Sequence, residues 1–148
     1  MKHRFESRHW QHQRGMSLME LMIVVAIVAL LGTIAVSSYR SQMLRANRVD
    51  GTATLLQVQV AQEKFFLQNR RYAADNTELV AVPPAGLGIA ATTPGGHYTL
   101  VLAAPTATTY TITATAAGGQ VDDLAACLAY TINEQGARTP LNTTGCWR

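Results

Sequence analysis

The chain has 148 residues, of which 48% are hydrophobic and 14% charged, and its formal net charge is +3. This length suits one ordinary domain, and the two cysteines and four histidines form no cluster with the spacing of metal ligands. The first fifteen residues hold four of the twelve Lys and Arg residues and one of the nine Asp and Glu residues, so the remaining chain is neutral and the overall charge does not indicate nucleic-acid binding.

A membrane-length apolar segment follows the polar N-terminus. Between Leu18 and Tyr39 it carries one charged residue, Glu20, close to its beginning. At about 1.5 Å per residue, a helix of this length covers a hydrocarbon core of about 30 Å. An acid within a membrane segment is costly and indicates a functional site. The N-terminus differs from a secretory signal, because cleavage at its one candidate processing point, between Gly15 and Met16, would retain the apolar helix.

The sequence Gly-Met-Ser-Leu-Met-Glu at residues 15–20, followed by the apolar run, resembles the class III signal of type IV prepilins. The resemblance implies that a prepilin peptidase cuts after Gly15 and methylates the amine of Met16, where this family usually has phenylalanine. Glu20 is then the family's acidic residue, and it can pair with that amine within one chain or between packed neighbours. The alternative is a single-pass anchor for a periplasmic domain, with Glu20 at the headgroup interface.

The helical pattern continues beyond the membrane segment. We predict one helix from about residue 17 to about residue 69, apolar all round in its first half and amphipathic in its second half. Polar residues of the second half, among them Arg48 and Gln62, are expected to face solvent or a neighbouring subunit. Gly32 and Gly51 lie inside the helix, where either could mark a bend. The predicted apolar stripe, which should pack against the rest of the domain, consists of Ala46, Val49, Ala53, Leu56, Val60 and Leu67.

A loop and then a small sheet are predicted after the helix. Proline and glycine are frequent between residues 72 and 97, which indicates a long connection, the αβ-loop, and a candidate surface for subunit packing. Beyond it, apolar residues alternate with polar or smaller ones in three segments. This period predicts three antiparallel strands whose apolar face covers the helix stripe. The predicted inward residues are Tyr98, Leu100, Leu102, Tyr110, Ile112, Ala114, Leu128, Tyr130 and Ile132.

Two cysteines, Cys127 and Cys146, bound the C-terminal region at residues 127–146. In an exported domain, which the prepilin resemblance implies, we expect a disulfide; two buried thiols or a redox pair are the alternatives. In type IV pilins this disulfide bounds a variable surface called the D-region. The tail looks most like that of PilE-like minor pilins in the pattern Asp122-Asp123, Cys127, Gly136, Thr139-Pro140 and Cys146-Trp147.

These features predict an α+β protein with the type IV pilin fold, in which a long N-terminal helix packs on a small antiparallel sheet. The predicted organisation is a leader at residues 1–15 and a hydrophobic transmembrane and assembly helix at residues 16–39. The amphipathic half of the same helix follows at residues 40–70, and a globular domain occupies residues 71–148.

The residues that could carry chemistry do not form a catalytic set. His97 is the only histidine after the leader, and no nucleophile or paired-acid motif accompanies it. Two adjacent acids, Asp122 and Asp123, indicate a solvated turn rather than a calcium site. We therefore expect no enzymatic activity, no cofactor and no bound metal.

The resemblance implies a structural subunit of a type IV pilus, and a minor pilin in particular. Such a subunit would cross the bacterial inner membrane once, with its N-terminus in the cytoplasm, and would enter the extracellular fimbrium on assembly. Its implied partners are other pilin subunits, the prepilin peptidase and N-methyltransferase, and the inner-membrane assembly platform. Cell adhesion, twitching motility and DNA uptake stay open as roles of the filament.

Two other functions on the same scaffold are alternatives. A type II secretion pseudopilin shares the N-terminal chemistry, although its major form typically has calcium ligands in place of the disulfide. A DNA-receptor pilin for natural transformation needs an exposed basic surface. The globular part offers four arginines for it, Arg70, Arg71, Arg138 and Arg148, and these are opposed by five acids, so nucleic acid is not the favoured partner.

Overall fold

The computed structural model describes residues 16–140 and 145–147; the predicted leader, with Gly15, lies outside these residues. The chain divides into two compact units, the first ending at Ser38 and the second beginning at Tyr39. Helix α1, Leu18–Asn69, contributes to both units, and its bounds agree with the predicted helix.

The first unit is helical from residue 18 to residue 38, and all its described residues, from Met16 onward, are exposed. Among the described helices, α1 is the one whose length and composition suit a membrane span. The first-unit part of α1 suits a membrane because it is hydrophobic on every side and has no face suited to water.

The second unit combines the rest of α1 with a four-stranded antiparallel sheet, in which each strand pairs with the next one along the chain. A short helix, α2, lies within the predicted αβ-loop, and two 3-10 turns connect the second and third strands. The bounds are Asn76–Val80 for α2, Tyr98–Thr106 for β1, Thr109–Ala116 for β2, Gly118–Asp122 and Ala125–Cys127 for the 3-10 turns, Ala129–Asn133 for β3 and Arg138–Thr139 for β4.

One face of the sheet forms the core, as its alternating sequence predicts. Tyr98, Ile112 and Tyr130 are fully buried, or nearly so, and belong to one apolar cluster with residues of α1. Of the predicted inward residues, Leu128 is the exception, because it precedes β3 and is only half-buried. Burying each large apolar side chain stabilises the fold by about 1.5–3 kcal/mol, so this face accounts for much of the domain's stability.

The predicted apolar stripe of α1 is wrong about which face meets the sheet. Val60 and Leu67 are 56% and 78% exposed. The buried face consists of Leu55, Val58 and Phe65 together with small and polar residues. Hydrophobicity alone selected the wrong face because α1 carries apolar side chains on both faces.

The polar residues on the buried face explain how the sheet can cover it. Gln62, predicted to face solvent or a neighbouring subunit, is fully buried, and its side-chain amide exchanges two hydrogen bonds with the backbone of Ala73. The buried hydroxyls of Thr52 and Thr54 donate to carbonyls one turn earlier in α1. Because every one of these groups is bonded, burial leaves no uncompensated desolvation cost for them.

Gly51 serves close packing rather than a bend. A Cβ at this position would lie 2.9 Å from the ring of Tyr98, whereas a Cβ at Gly32 would meet open space. Helix α1 continues through both glycines. The absence of a side chain at Gly51 therefore lets β1 approach the helix.

Helix α2 and strand β4, which the sequence pattern does not predict, are short. Helix α2 begins after Asp75, whose carboxylate accepts hydrogen bonds from the amides of Thr77 and Glu78. The spacing of Asp75 and Glu78 is that of an N-terminal capping pattern, which is the signal that could have revealed this helix. Strand β4 has two residues, too few for a period of two to be recognised.

Candidate functional site

The first candidate surface is the uncovered apolar helix of the first unit. Met16 precedes α1, and Glu20 lies in its first turn, where the positive end of the helix dipole favours a carboxylate. All the apolar side chains of residues 16–38 are exposed. Such a surface requires lipid or other protein to cover it, because exposing it to water is unfavourable.

A second apolar surface lies on α1 within the second unit. The exposed side chains of Leu56 and Val60 border an open groove of about 650 Å³ between α1 and the αβ-loop. The loop contributes Pro83 and Leu87, and Lys64 is the only charged residue among the described residues that line the groove. The αβ-loop, for which we predict a role in subunit packing, therefore lies beside an apolar surface that another subunit could contact.

The C-terminal region is fixed to the sheet by a covalent bond and by aromatic packing. Cys127 and Cys146 form a disulfide, with their Cα atoms 5.4 Å apart. Next to it, the Trp147 ring packs edge-on against Tyr130, with ring centroids 5.4 Å apart, and its indole N–H donates to the carbonyl of Thr139 at 3.0 Å. In the chain-entropy model, closing a loop of this size stabilises the fold by about 3 kcal/mol.

A buried ion pair connects α1 to the region between β2 and β3. Arg48, for which the sequence predicts a position facing solvent or a neighbouring subunit, instead donates from Nε and Nη2 to the two carboxylate oxygens of Asp123, at 2.7 and 2.6 Å. Only 9% and 3% of these side chains is exposed. Gln120 donates a further hydrogen bond to the same carboxylate and one to the carbonyl of Leu44.

This geometry changes the ionisation of both partners. The hydrogen bond to Asp123 raises the pKa of Arg48, although burial opposes the shift. Burial acts to raise the pKa of Asp123, but hydrogen bonds from Arg48, the Leu124 amide and Gln120 together hold it below its usual value. Both side chains are therefore charged at neutral pH.

The neighbouring acid, Asp122, forms an exposed ion pair with Arg40. Asp122 remains exposed at the end of a 3-10 turn, as a solvated turn predicts, whereas the carboxylate of Asp123 is buried against Arg48 of α1. These ion pairs and the hydrogen bond from Gln120 to Leu44 escaped prediction, because they join residues more than 70 positions apart in the chain. His97 is half-buried immediately before β1.

The arginines considered for nucleic-acid binding have different surroundings. Arg71 makes two hydrogen bonds to the carboxylate of Glu78, at 2.8 and 2.5 Å, and its guanidinium lies 5.3 Å from the centre of the Phe65 ring. Arg138 lies over the Trp147 ring, and Arg70 is exposed just after α1. Arg148 lies outside the described residues. The carboxylate of Glu78 therefore partly neutralises the charge of Arg71, which makes this side chain less suited to binding phosphate.

Two family models match the chain. One, described as the prokaryotic N-terminal methylation motif, matches residues 10–36. The other, described as type IV minor pilin ComP, DNA uptake sequence receptor, matches residues 37–131. The two matches adjoin each other, and the second alone covers more than half of the chain.

Curated relatives include a type IV major pilin and a fimbrial protein. The chain is 34% identical to the type IV major pilin protein PilA of Myxococcus xanthus over 80 residues, which cover 54% of this chain and 36% of that protein. It is 31% identical to the fimbrial protein EcpC of Eikenella corrodens over 105 residues, which cover 71% of this chain and 63% of that protein. The matches thus span less than two thirds of either relative.

A solved structure has the same fold. A type IV pilin from Shewanella oneidensis matches with a TM-score of 0.51 and 19% sequence identity, over 71% of this chain and 98% of that chain. The likeness confirms the predicted architecture of a long N-terminal helix with an antiparallel sheet.

Proposed function

This chain belongs to the type IV pilins, and from that membership we propose that it is a minor structural subunit of a type IV pilus. The observation that carries the proposal is the exposed apolar segment at residues 16–38, helical from residue 18, which precedes a folded second unit. Pilins have a structural rather than an enzymatic role. The minor role is supported by the family model for a minor pilin, which matches residues 37–131.

Processing of the subunit would occur between Gly15 and Met16. The methylation motif at residues 10–36 supports cleavage by a prepilin peptidase that also methylates the Met16 amine. Before assembly, the helix would cross the inner membrane with its N-terminus in the cytoplasm. The assembly platform would then transfer the subunit to the extracellular pilus.

Glu20 would guide assembly through its charge. In a filament the apolar helices cover each other, so a carboxylate among them needs a cationic partner. The amine of Met16, on the same chain or on a neighbouring subunit, is such a partner. Apolar contacts would supply most of the cohesion, and the ion pair would fix the register.

Mass spectrometry of sheared surface filaments tests the proposal. We expect N-methylated Met16 as the first residue, a closed disulfide and a low abundance relative to another, major subunit. High abundance would contradict the minor role. Retention of residues 1–15, or absence from the filaments, would contradict the pilin function and would favour a membrane anchor for a periplasmic domain.

Two variants separate processing from assembly. Glu20→Gln keeps the size of the side chain and removes its charge, so we expect normal cleavage but poor incorporation into filaments. Gly15→Ala should impair cleavage instead, because the peptidase recognises the residue before the cut. Normal incorporation of both variants would refute the assigned roles.

A DNA receptor is the second candidate function, favoured by the family model whose description includes DNA uptake sequence receptor. Arg70 and Arg138 are exposed cations that could contact phosphates. The test is binding of the full chain in detergent to duplexes with and without an uptake sequence, at low and high salt. Receptor function predicts sequence preference that Arg138→Ala weakens, whereas Arg45→Ala serves as a control near the membrane end of the unit.

The pseudopilin alternative has less support. Its major form has calcium ligands where this chain has a disulfide. In addition, Asp122 and Asp123 are engaged by arginines, which compete with a cation for the same oxygens.

A further inference from the structure

The connection between β2 and β3, residues 117–128, lies beside the part of α1 that leaves the predicted membrane segment. Three contacts hold it there: Asp122 pairs with Arg40, the Gln120 amide donates to the carbonyl of Leu44 at 3.0 Å, and Asp123 pairs with Arg48. The predicted membrane segment ends at Tyr39, one residue before the first of these contacts.

The rise per residue of the helix gives the distance of these contacts from the end of the predicted membrane segment. Leu44 is five residues beyond Tyr39, which corresponds to about 7.5 Å along the helix axis. The polar headgroup region adds roughly 5–7.5 Å to each side of the hydrocarbon core. The contacts of Gln120 and Asp122 therefore place the β2–β3 connection at the height of the headgroups.

The surface that the connection exposes is apolar. Val121 and Leu124 are 53% and 59% exposed, and the side chains of Ala125 and Ala126 are also exposed. The side chain of Asp123 is almost completely buried in its ion pair with α1, and that of Asp122 faces Arg40. Each acid is thereby paired with an arginine. Two adjacent acids alone would be expected to repel anionic lipid, but in these pairs their charges are neutralised.

The residues of α1 at the same height are of the kinds found at membrane interfaces. Tyr39 is exposed, and aromatic rings of this type concentrate at the headgroup level. Arg45 is exposed as well and carries a positive charge suited to lipid phosphates. Apolar side chains and cations thus occur together, as they do in segments that bind the membrane surface.

We propose that, before assembly, Val121 and Leu124 insert into the headgroup region of the phospholipid bilayer, so that the second unit contacts the membrane through the β2–β3 connection. The inference rests on the membrane location of α1 in the proposed function and goes beyond the subunit's role in the filament. It assigns a lipid-binding role to a surface of the globular part.

Tryptophan quenching tests this contact in the full chain, reconstituted in vesicles of phosphatidylethanolamine and phosphatidylglycerol. Val121→Trp and Leu124→Trp place a fluorophore on the connection, and the emission of the parent protein is subtracted. With bromine atoms on the upper acyl chains, we expect about twofold quenching and a blue shift relative to detergent, since interfacial side chains reach 5–10 Å into this region. Leu124→Asp should abolish the quenching of Val121→Trp.

Two controls use exposed residues of α1. Leu67→Trp lies 28 residues beyond Tyr39, about 42 Å along the helix, and should not be quenched. Ile23→Trp lies inside the predicted span and should be quenched strongly by bromines deep in the chains.

The outcomes distinguish this contact from the membrane span itself. Quenching of Ile23→Trp, with Val121→Trp and Leu124→Trp no more quenched than Leu67→Trp, would overturn the lipid contact and leave the span and the pilin function standing. An unquenched Ile23→Trp would overturn the span, and the inference with it. A blue shift without quenching that grows with protein density would show that a second copy covers the connection, and this result would also overturn the inference.

Discussion

The buried pair of Arg48 and Asp123 allows a quantitative test of what holds the connection between β2 and β3 to α1. Asp123→Asn keeps the shape of the side chain but leaves the Arg48 guanidinium without its counter-charge, in a site where only 9% of it is exposed. Removing one partner of a buried ion pair costs about 3–5 kcal/mol. The Asn oxygen retains one hydrogen bond, so we expect a loss of about 3 kcal/mol, a large part of the 5–15 kcal/mol typical of a domain.

The matched control is Asp122→Asn. Its ion pair with Arg40 is 53% exposed on the aspartate and 67% on the arginine. Exposed pairs contribute about 0–1 kcal/mol, because water and salt screen them. The two variants therefore remove the same charge from adjacent positions, and their effects should differ because Asp123 is buried and accepts further hydrogen bonds from Gln120 and the Leu124 amide.

The assay is urea unfolding of the full chain in detergent, followed by tryptophan fluorescence, to which Trp147 beside the disulfide contributes. It should be repeated at falling pH. Because the pKa of folded Asp123 is lowered, its stabilisation is present above the unfolded pKa of about 3.9 and is lost as pH falls through the folded pKa. The difference between parent and Asp123→Asn should therefore shrink in acid. Equal losses for Asp122→Asn and Asp123→Asn, or a difference independent of pH, would refute the reasoning.

Three further predictions concern packing and covalent bonding in the second unit. Gly51→Ala should destabilise the protein by about 1–3 kcal/mol, because its Cβ would meet an aromatic ring at 2.9 Å. Gly32→Ala should instead increase helix stability by up to about 1 kcal/mol, because its Cβ would meet open space. Thermal unfolding and helix content measure both changes, and a change in stability of the same sign for both variants would contradict the packing role of Gly51. Gln62→Leu should cost about 2 kcal/mol in urea unfolding, because it leaves a buried N–H and a buried carbonyl unbonded; a neutral result would show that water replaces the amide. Reducing the bond between Cys127 and Cys146 should lower the free energy of unfolding by about 3 kcal/mol, measured by unfolding with and without reductant; an unchanged midpoint would mean that the aromatic packing suffices.

The sequence predicted the strands better than their connections, for a physical reason. A half-buried strand alternates apolar and polar residues. The pattern of Tyr98, Leu100 and Leu102 therefore predicts which face of β1 is buried, without any knowledge of the residues that pack against it. The connection between β2 and β3 has no such period. Its position depends on Arg48 and Asp123, which are 75 residues apart in the chain, and only the folded chain brings them together.

The incorrect helix stripe has a related cause, and it bears on assembly. The pattern that identified Val49, Leu56 and Val60 was a real apolar face, yet these residues are exposed, while Leu55 and Val58 of the other face are buried by the sheet. A domain that only had to fold would not need the first face. An exposed apolar row that borders a groove is typical of a surface that another molecule covers. The two apolar faces of α1 thus have different partners: the chain's own sheet covers one, and in the proposed filament neighbouring subunits cover the other.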